Sequence, residues 1–466
     1  MTALSAPASL ARPADAWGEL RALLALAGPL VAANLLQMAV FAVDVVFVAR
    51  LGATEFAAAT LGVFLFNLLT FALIGLGSAA EPIIAAAIGR RTGVLRDVRR
   101  TFRVAMWLLA FASIPVVLML AHGETLLRLA GQDAAVARRA GAFLDILAFA
   151  VLPAAAAGLM RLTAAALGRP GYVLWVTALA LGVSILANWC LVFGNAGFPA
   201  LGLEGSALAG VVVSFAMALA YAAVLLLDPR LARYRLFGRW WRPDWPRLAR
   251  VARLGAPIAL TWTFEGGLFG GAALLMGLIG VTEVAAHAVA LNIAAAAFQI
   301  PFGVAQAATV RVGLAYGAMD REWIARAGWV ALALGTGVMA ATAALIWSMP
   351  RLLVSAYLDV GDPANAAAAA LAVRLLAVAA LFQLMDGAQA VAAGVLRGLQ
   401  DTRAPMLIAL FSYWVVGFGA AMLLGFPAGL GAVGIWWGLA AGLAVASALL
   451  LLRWTARDRL RPASPD

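Results

Sequence analysis

The chain has 466 residues, 65% of them hydrophobic and only 12% charged, with a mean hydropathy of +0.98. A soluble domain averages about 45–50% apolar and 25% charged, so a soluble globular fold is excluded: too few polar residues exist to cover such a core. The net charge of +11 does not point to nucleic acid, because all 33 basic residues are Arg and they fall in short loops rather than on one basic face.

The first twenty residues are rich in Ala and Pro and carry Asp15 and Glu19. They lack the basic start and apolar stretch of a signal peptide, so residues 1–20 read as a cytoplasmic tail. A helix needs about 20 apolar residues to cross the hydrocarbon core. Spans are expected near 22–49, 57–88, 103–121, 139–167, 173–194 and 205–227. A second set follows near 251–279, 285–315, 327–348, 371–396, 405–425 and 432–452. The expected fold class is all-α: a polytopic integral membrane protein with twelve transmembrane helices in two pseudo-symmetric six-helix lobes.

Orientation follows from Arg. Outer loops hold five (Arg50, Arg128, Arg138, Arg139 and Arg351), and two more, Arg161 and Arg374, fall within spans. The rest lie on the other side, so both termini are expected in the cytoplasm of a bacterial cell, with the chain in its inner membrane. The segment between the two sets contains RWWRPDWPR at 239–247, as expected of an interfacial or plain cytoplasmic connector. The division is then 21–228 for the first lobe, 229–249 for the linker, 250–453 for the second lobe and 454–466 for a cytoplasmic tail.

The two sets repeat. At an offset of 228, Pro29 falls on Pro257, Gly52-Ala-Thr-Glu55 on Gly280-Val-Thr-Glu283, Gly75 on Gly303 and Gly89 on Gly317. At 229, Gly202 and Gly205 fall on Gly431 and Gly434. Six helices per repeat keep both halves the same way up. Parallel repeats imply a pseudo-two-fold axis along the membrane normal and a substrate site near the midplane, which is transporter architecture.

A carboxylate at the bilayer centre costs about 2.5–3.5 kcal/mol on insertion scales, so each one is a candidate for function. Asp44 follows Asn34, Gln37 and Phe41 at helical spacing, which makes one polar face on the first helix. Glu265 lies mid-span in helix seven, beside Thr261, Trp262 and Phe269. Asp386 lies mid-span in helix ten with Phe382, Gln383 and Gln389 on its face. Two carboxylates on one cavity titrate as a unit and can carry a proton, hold Na⁺ or neutralise a cationic substrate. Glu81 precedes Pro82 in helix two, but its repeat partner is Thr309, so the scaffold does not demand an acid there. Ser184 and Asn188 in helix five stand at i, i+4 and can join Asp44. Satisfied helix–helix hydrogen bonding is the competing reading for each of these residues. His287, at the start of helix eight, is expected at the interface without a special role; Arg311 and Arg397 read as snorkelling residues near helix ends.

Cys190 is alone, and His122 and His287 are far apart, so no disulfide or local metal motif is expected. No Walker loop, dinucleotide-binding glycine pattern, HExxH or nucleophile elbow occurs. The chain is therefore expected to be no enzyme and to need no cofactor beyond a coupling ion.

Several stretches resemble the MATE (multidrug and toxic compound extrusion) transporters, most closely their NorM-like bacterial branch. They are Phe41-Ala-Val-Asp44 followed by Gly52, Asn188-Trp189, TFEGGLF around Glu265, VAAHAVALN at 284–292, VRVG at 310–313, and MDGAQAVAAGVLRGLQDTRAPM at 385–406. The resemblance runs from about Leu26 to Arg453. It implies a V-shaped pair of lobes that exports amphipathic, often cationic compounds in exchange for H⁺ or Na⁺; the chain is expected to act as a monomer among membrane lipids. It also implies coupling roles for Asp44, Glu265 and Asp386, with Na⁺ at the last two as one option. Departures favour H⁺: a Tyr of that branch is Phe382 here, a fifth-helix Asn is Ser184, a sixth-helix Thr is Gly210, and Glu81 replaces a neutral residue. Each loss of an oxygen ligand weakens a site for a hard cation. The rival readings are a flippase for lipid-linked saccharides, whose cavity should be basic, a membrane-embedded enzyme, and a passive channel.

Overall fold

A computed structural model describes residues 8–459, and every regular element among them is helical. Twelve helices are long and apolar enough to cross a membrane. They are α1 Ala16–Ala49, α2 Ala53–Arg90, α3 Val94–Ala121, α4 Ala134–Ala166, α5 Gly171–Phe193 and α6 Gly202–Leu227, then α7 Trp245–Ile279, α8 Val281–Gly317, α9 Arg321–Ser348, α10 Pro363–Gly398, α11 Arg403–Gly425 and α12 Gly431–Thr455. The chain is a multi-pass membrane protein, and each span expected from hydropathy matches one helix. The helices overrun the apolar stretches where charged turns extend them. α3 starts at Val94 because Arg96, Asp97, Arg99 and Arg100 form polar first turns beyond the hydrocarbon. α2 breaks at Ala79. Pro82 has no N–H for the Ser78 carbonyl, and that missing rung accounts for the break.

The helices form two compact units, and the units do not follow the chain in sequence. One holds Ala32–Ala259; the other holds Ala8–Val31 together with residues 260–459. A division at the linker alone assigns residues 21–31 to the first lobe and 250–259 to the second, whereas contacts assign each segment to the opposite unit. The two break points lie 228 residues apart (260 − 32), which is the repeat offset. Each follows a helix proline by three residues, Pro29 in α1 and Pro257 in α7, so the exchange is itself part of the repeat.

Each exchanged segment is pinned by an ion pair, with inverted polarity. In the unit that holds it, Glu19 is fully buried and receives two bonds from Arg311 on α8, Nε at 2.7 Å and Nη2 at 2.6 Å. Trp323 Nε1 donates to the same carboxylate at 3.0 Å, and Arg311 Nη1 reaches the carbonyls of Ser9 and Ala11. Arg311 is thus not a snorkelling residue: its guanidinium is 0% exposed. In the other unit the basic partner sits on the incoming segment. Arg247 donates to Asp97 Oδ1 at 2.9 Å and to Thr101 Oγ1 at 3.2 Å.

Glycine allows both crossings. A Cβ on Gly303 would stand 2.5 Å from the Val31 side chain, and one on Gly255 would stand 2.1 Å from the Leu76 carbonyl oxygen. The cores around them are aliphatic and aromatic. Phe382, Tyr413, Trp436 and Leu439 lie in one apolar cluster of the second unit.

Candidate functional site

Glu265 on α7 and Asp386 on α10 meet through one side chain. Gln389 follows Asp386 by three residues and shares its helical face. Its amide nitrogen donates to Glu265 Oε1 and to Asp386 Oδ1, both at 3.2 Å. A primary amide carries two N–H hydrogens, so both are committed to the acids. The amide oxygen accepts from the Tyr413 hydroxyl at 2.5 Å. Turned over, the amide would set its oxygen against two carboxylates, so the chemistry of the partners fixes its orientation. Asp386, Gln389 and Tyr413 are buried, and Glu265 is half-buried.

Tyr413 reaches this position from a stretch of i→i+5 turns over Leu410–Phe418 in α11. Such wide turns rotate side chains away from where α-helical spacing would place them. Close packing of α7 on α11 helps: a Cβ on Gly267 would stand 2.8 Å from the Trp414 ring. Arg397 supplies a fixed positive charge that reaches Glu265. It is buried rather than snorkelling, with its guanidinium over the Trp262 ring at 5.6 Å. Trp262 also meets Phe302 edge-on.

In the first unit, Asp44 on α1 is held from α5. Its Oδ1 accepts from Asn188 Nδ2 at 2.8 Å and from Ser184 Oγ at 3.2 Å. Asn188 also donates to the Ser184 carbonyl at 3.0 Å, which fixes its rotamer. The face expected along α1 divides. Asn34 is buried and bonds Arg161 of α4, while Gln37 is half-buried and Phe41 partly exposed. Glu81 is buried at the α2 break, and its charge reaches the same Arg161. Asn34, Arg161 and Glu81 therefore make a polar cluster apart from the bonds that hold Asp44.

The remaining candidates scatter. Phe382 packs on Trp436 in the apolar core, with ring centroids 5.6 Å apart. Gln383 accepts from Thr342 on α9 at 3.1 Å. Phe269 packs against the core cluster, and Thr261 is half-buried on α7. His287 is not interfacial: it is 2% exposed, and its Nδ1 accepts from Trp436 Nε1 at 3.1 Å. α8 begins at Val281, so His287 stands more than a turn inside it. Tyr413, Arg161 and Thr342 are hydrogen-bond partners of the candidate residues that spacing did not find. The available signal was a polar side chain in an apolar span, which needs a partner once buried.

The matching family model is MatE, over residues 29–190 and 257–423, and the two matched stretches again begin 228 residues apart. A probable multidrug resistance protein NorM of Mesorhizobium japonicum is 48% identical over 97% of each chain. A probable multidrug resistance protein NorM of Brucella suis is 47% identical over 95% of this chain and 94% of its own. The multidrug resistance protein NorM of Burkholderia vietnamiensis is 39% identical over 99% and 98%. Among solved structures, the eukaryotic MATE transporter AtDTX14 matches with a TM-score of 0.85 at 22% identity, over 96% of this chain and 99% of that one. A MOP superfamily transporter from Pyrococcus furiosus matches with a TM-score of 0.87 at 19% identity, over 97% and 98%.

Proposed function

The chain belongs to the MatE family, and from that premise we propose that it is a multidrug efflux antiporter, coupled to H⁺ through Glu265 and Asp386. The observation that carries the coupling assignment is the single amide of Gln389 that ties the two acids together. With Asp386 and Gln389 buried, two negative charges stand near one fixed positive charge, that of Arg397. One further positive charge balances the group, and a proton or a cationic substrate can provide it. The two ligands then compete, and exchange needs only that each favour a different state of the carrier.

The ligand set favours H⁺ over Na⁺. Gln389 turns its N–H groups to the acids, and its oxygen points away from them to accept from Tyr413, so it sets no oxygen between the two carboxylates. Sodium, a hard cation, wants several oxygens. Asp44, with its neutral donors Asn188 and Ser184, serves as a second acidic position, and half-buried aromatics such as Trp262 and Phe264 stack on substrate cations. We read the protein as a transporter and not an enzyme, acting as a monomer in the bacterial inner membrane with both termini on the Arg-rich cytoplasmic side.

The test is reconstitution into proteoliposomes with ethidium as substrate and the pH and Na⁺ gradients imposed separately. Exchange should follow the pH gradient and be lost in Glu265→Gln and in Asp386→Asn. Full exchange in both variants sinks the coupling assignment, and exchange driven by Na⁺ alone reverses the choice of ion.

A further inference from the structure

A second polar site lies at the Arg-rich end of the first unit, away from the bonds that hold Asp44. A shallow surface cleft is bounded by Arg103 and Trp107 on α3 and by Arg242, Asp244, Trp245 and Leu248 of the connector and the start of α7. Arg103 is 5% exposed. Its Nη1 is fixed by the Arg239 carbonyl at 2.8 Å, but its Nε is buried without a hydrogen-bond partner. Trp107 Nε1 on the same wall is buried and equally unmatched. Arginine and the indole N–H only donate, so the cleft offers donors and awaits an acceptor.

Charge selects the acceptor. Asp244, the acid in the wall, is already taken by Arg100 Nε at 2.8 Å and by Arg247 at 3.6 Å. Asp97 is taken by Arg247 and Arg90. Asp244 is the strongest charge acting on Arg103, and Arg100, Arg99 and Arg242 together oppose it. An anion with several oxygens relieves this arrangement, and a phosphate group matches planar guanidinium donors in geometry.

The surroundings indicate that the phosphate belongs to a lipid. Trp241 and Trp245 are 76% and 60% exposed beside the cleft, as are indoles that settle at the headgroup level. From Trp107 an exposed apolar track descends α3 at helical spacing through Phe111, Ile114 and Leu118. Trp107 and Phe111 meet edge-on at its head, 5.6 Å apart. We propose that this cleft binds the phosphodiester of an anionic phospholipid, with an acyl chain along the α3 track. Arg103 and Trp107 hold the phosphate oxygens, and Arg242 supplies selectivity for net negative charge. The site is independent of the coupling assignment and stands or falls separately from it.

The full chain, purified in detergent, is titrated with phosphatidylglycerol, phosphatidylcholine and glycerol 3-phosphate, and bound lipid is counted by native mass spectrometry. Phosphatidylglycerol should bind more tightly than phosphatidylcholine by about tenfold, the worth of one charge-assisted contact. Arg242→Gln, an exposed position, should bring the two lipids to parity. Trp107→Phe keeps the ring and should weaken both lipids through the lost N–H. Glycerol 3-phosphate should not compete at equal concentration; if it competes as well as the lipid, the ligand is a soluble phosphate compound and the lipid assignment is overturned. An unchanged lipid preference in Arg242→Gln together with unchanged affinity in Trp107→Phe overturns the site itself.

Discussion

Removing the carboxylate of Glu19 should be among the most damaging single changes to stability. In the wild type that carboxylate accepts two bonds from Arg311 and one from Trp323 Nε1, and both Glu19 and Arg311 are 0% exposed. Among the described residues, Glu19→Ala leaves the guanidinium with the Ser9 and Ala11 carbonyls, both on Nη1, and the face of the Trp323 ring. Breaking a buried pair from one side costs about 3–5 kcal/mol, because the other charge stays buried. Replacing both partners with apolar groups is far milder: Glu19→Leu with Arg311→Met removes the charge problem and forfeits mainly the two carbonyl bonds, about 1 kcal/mol each. The double variant should therefore be more stable than Glu19→Ala or Glu19→Leu alone, with a coupling energy of about 2–3 kcal/mol in the cycle. The assay is unfolding in mixed micelles titrated with SDS and followed by tryptophan fluorescence. A coupling energy under about 1 kcal/mol would refute the reasoning, since that is the worth of a solvated pair.

Other expectations follow from single contacts. Tyr413→Phe deletes one neutral hydrogen bond to Gln389, worth about 0.5–1.5 kcal/mol, and proteoliposome exchange should fall several-fold while expression is kept. Gln389→Leu removes the donors to both acids as well, so its exchange rate should lie well below that of Tyr413→Phe; equal rates in the two would mean that the bridge is incidental. At Asp44 the shorter bond comes from Asn188, 2.8 Å against 3.2 Å from Ser184, so Asn188→Ala should reduce ethidium export more than Ser184→Ala. The reverse order, measured by efflux from cells, contradicts the geometry. Gly255→Ala sets a methyl 2.1 Å from the Leu76 carbonyl and should cost about 1–3 kcal/mol through overpacking, read as a lower melting temperature, whereas Gly277→Ala meets nothing within 4 Å and should melt as the wild type.

What could be read before folding was whatever lipid imposes directly. Hydrocarbon demands long apolar spans and penalises acids within them, so the twelve spans and the acids Asp44, Glu265 and Asp386 stand out from composition alone. The repeat was legible because glycines and prolines hold its register. Contacts set by packing were not legible. Glu19 and Arg311 are 292 residues apart, and a chain that exchanges segments at Pro29 and Pro257 gives no local sign of it. Tyr413 was hidden by i→i+5 turns, which have no distinct hydrophobic period. His287 was misplaced because α8 begins ahead of its apolar stretch.

The repeat also explains why the acid clusters differ although the scaffold is shared. The first and fifth helices of each repeat are brought together in both units. In one unit α5 delivers Ser184 and Asn188 straight to Asp44 on α1. In the other, the residue in Asp44's place on α7 is Ala272, and the acid has moved to Glu265, the position that Gln37 holds on α1. That shift of seven residues (272 − 265) is about two helical turns, roughly 10 Å along the axis. At this level Tyr413 of α11 reaches the acid only through Gln389 of α10. The relay recruits Asp386 from the same helix, and a pair is formed where the first unit has a single acid. Two changes on the shared scaffold therefore separate the units: the carboxylate of the first helix moves by two turns, and Asp386 stands where the first repeat has only Ala157 or Gly158, so that Gln389 bridges two acids in the second unit while neutral donors hold Asp44 in the first.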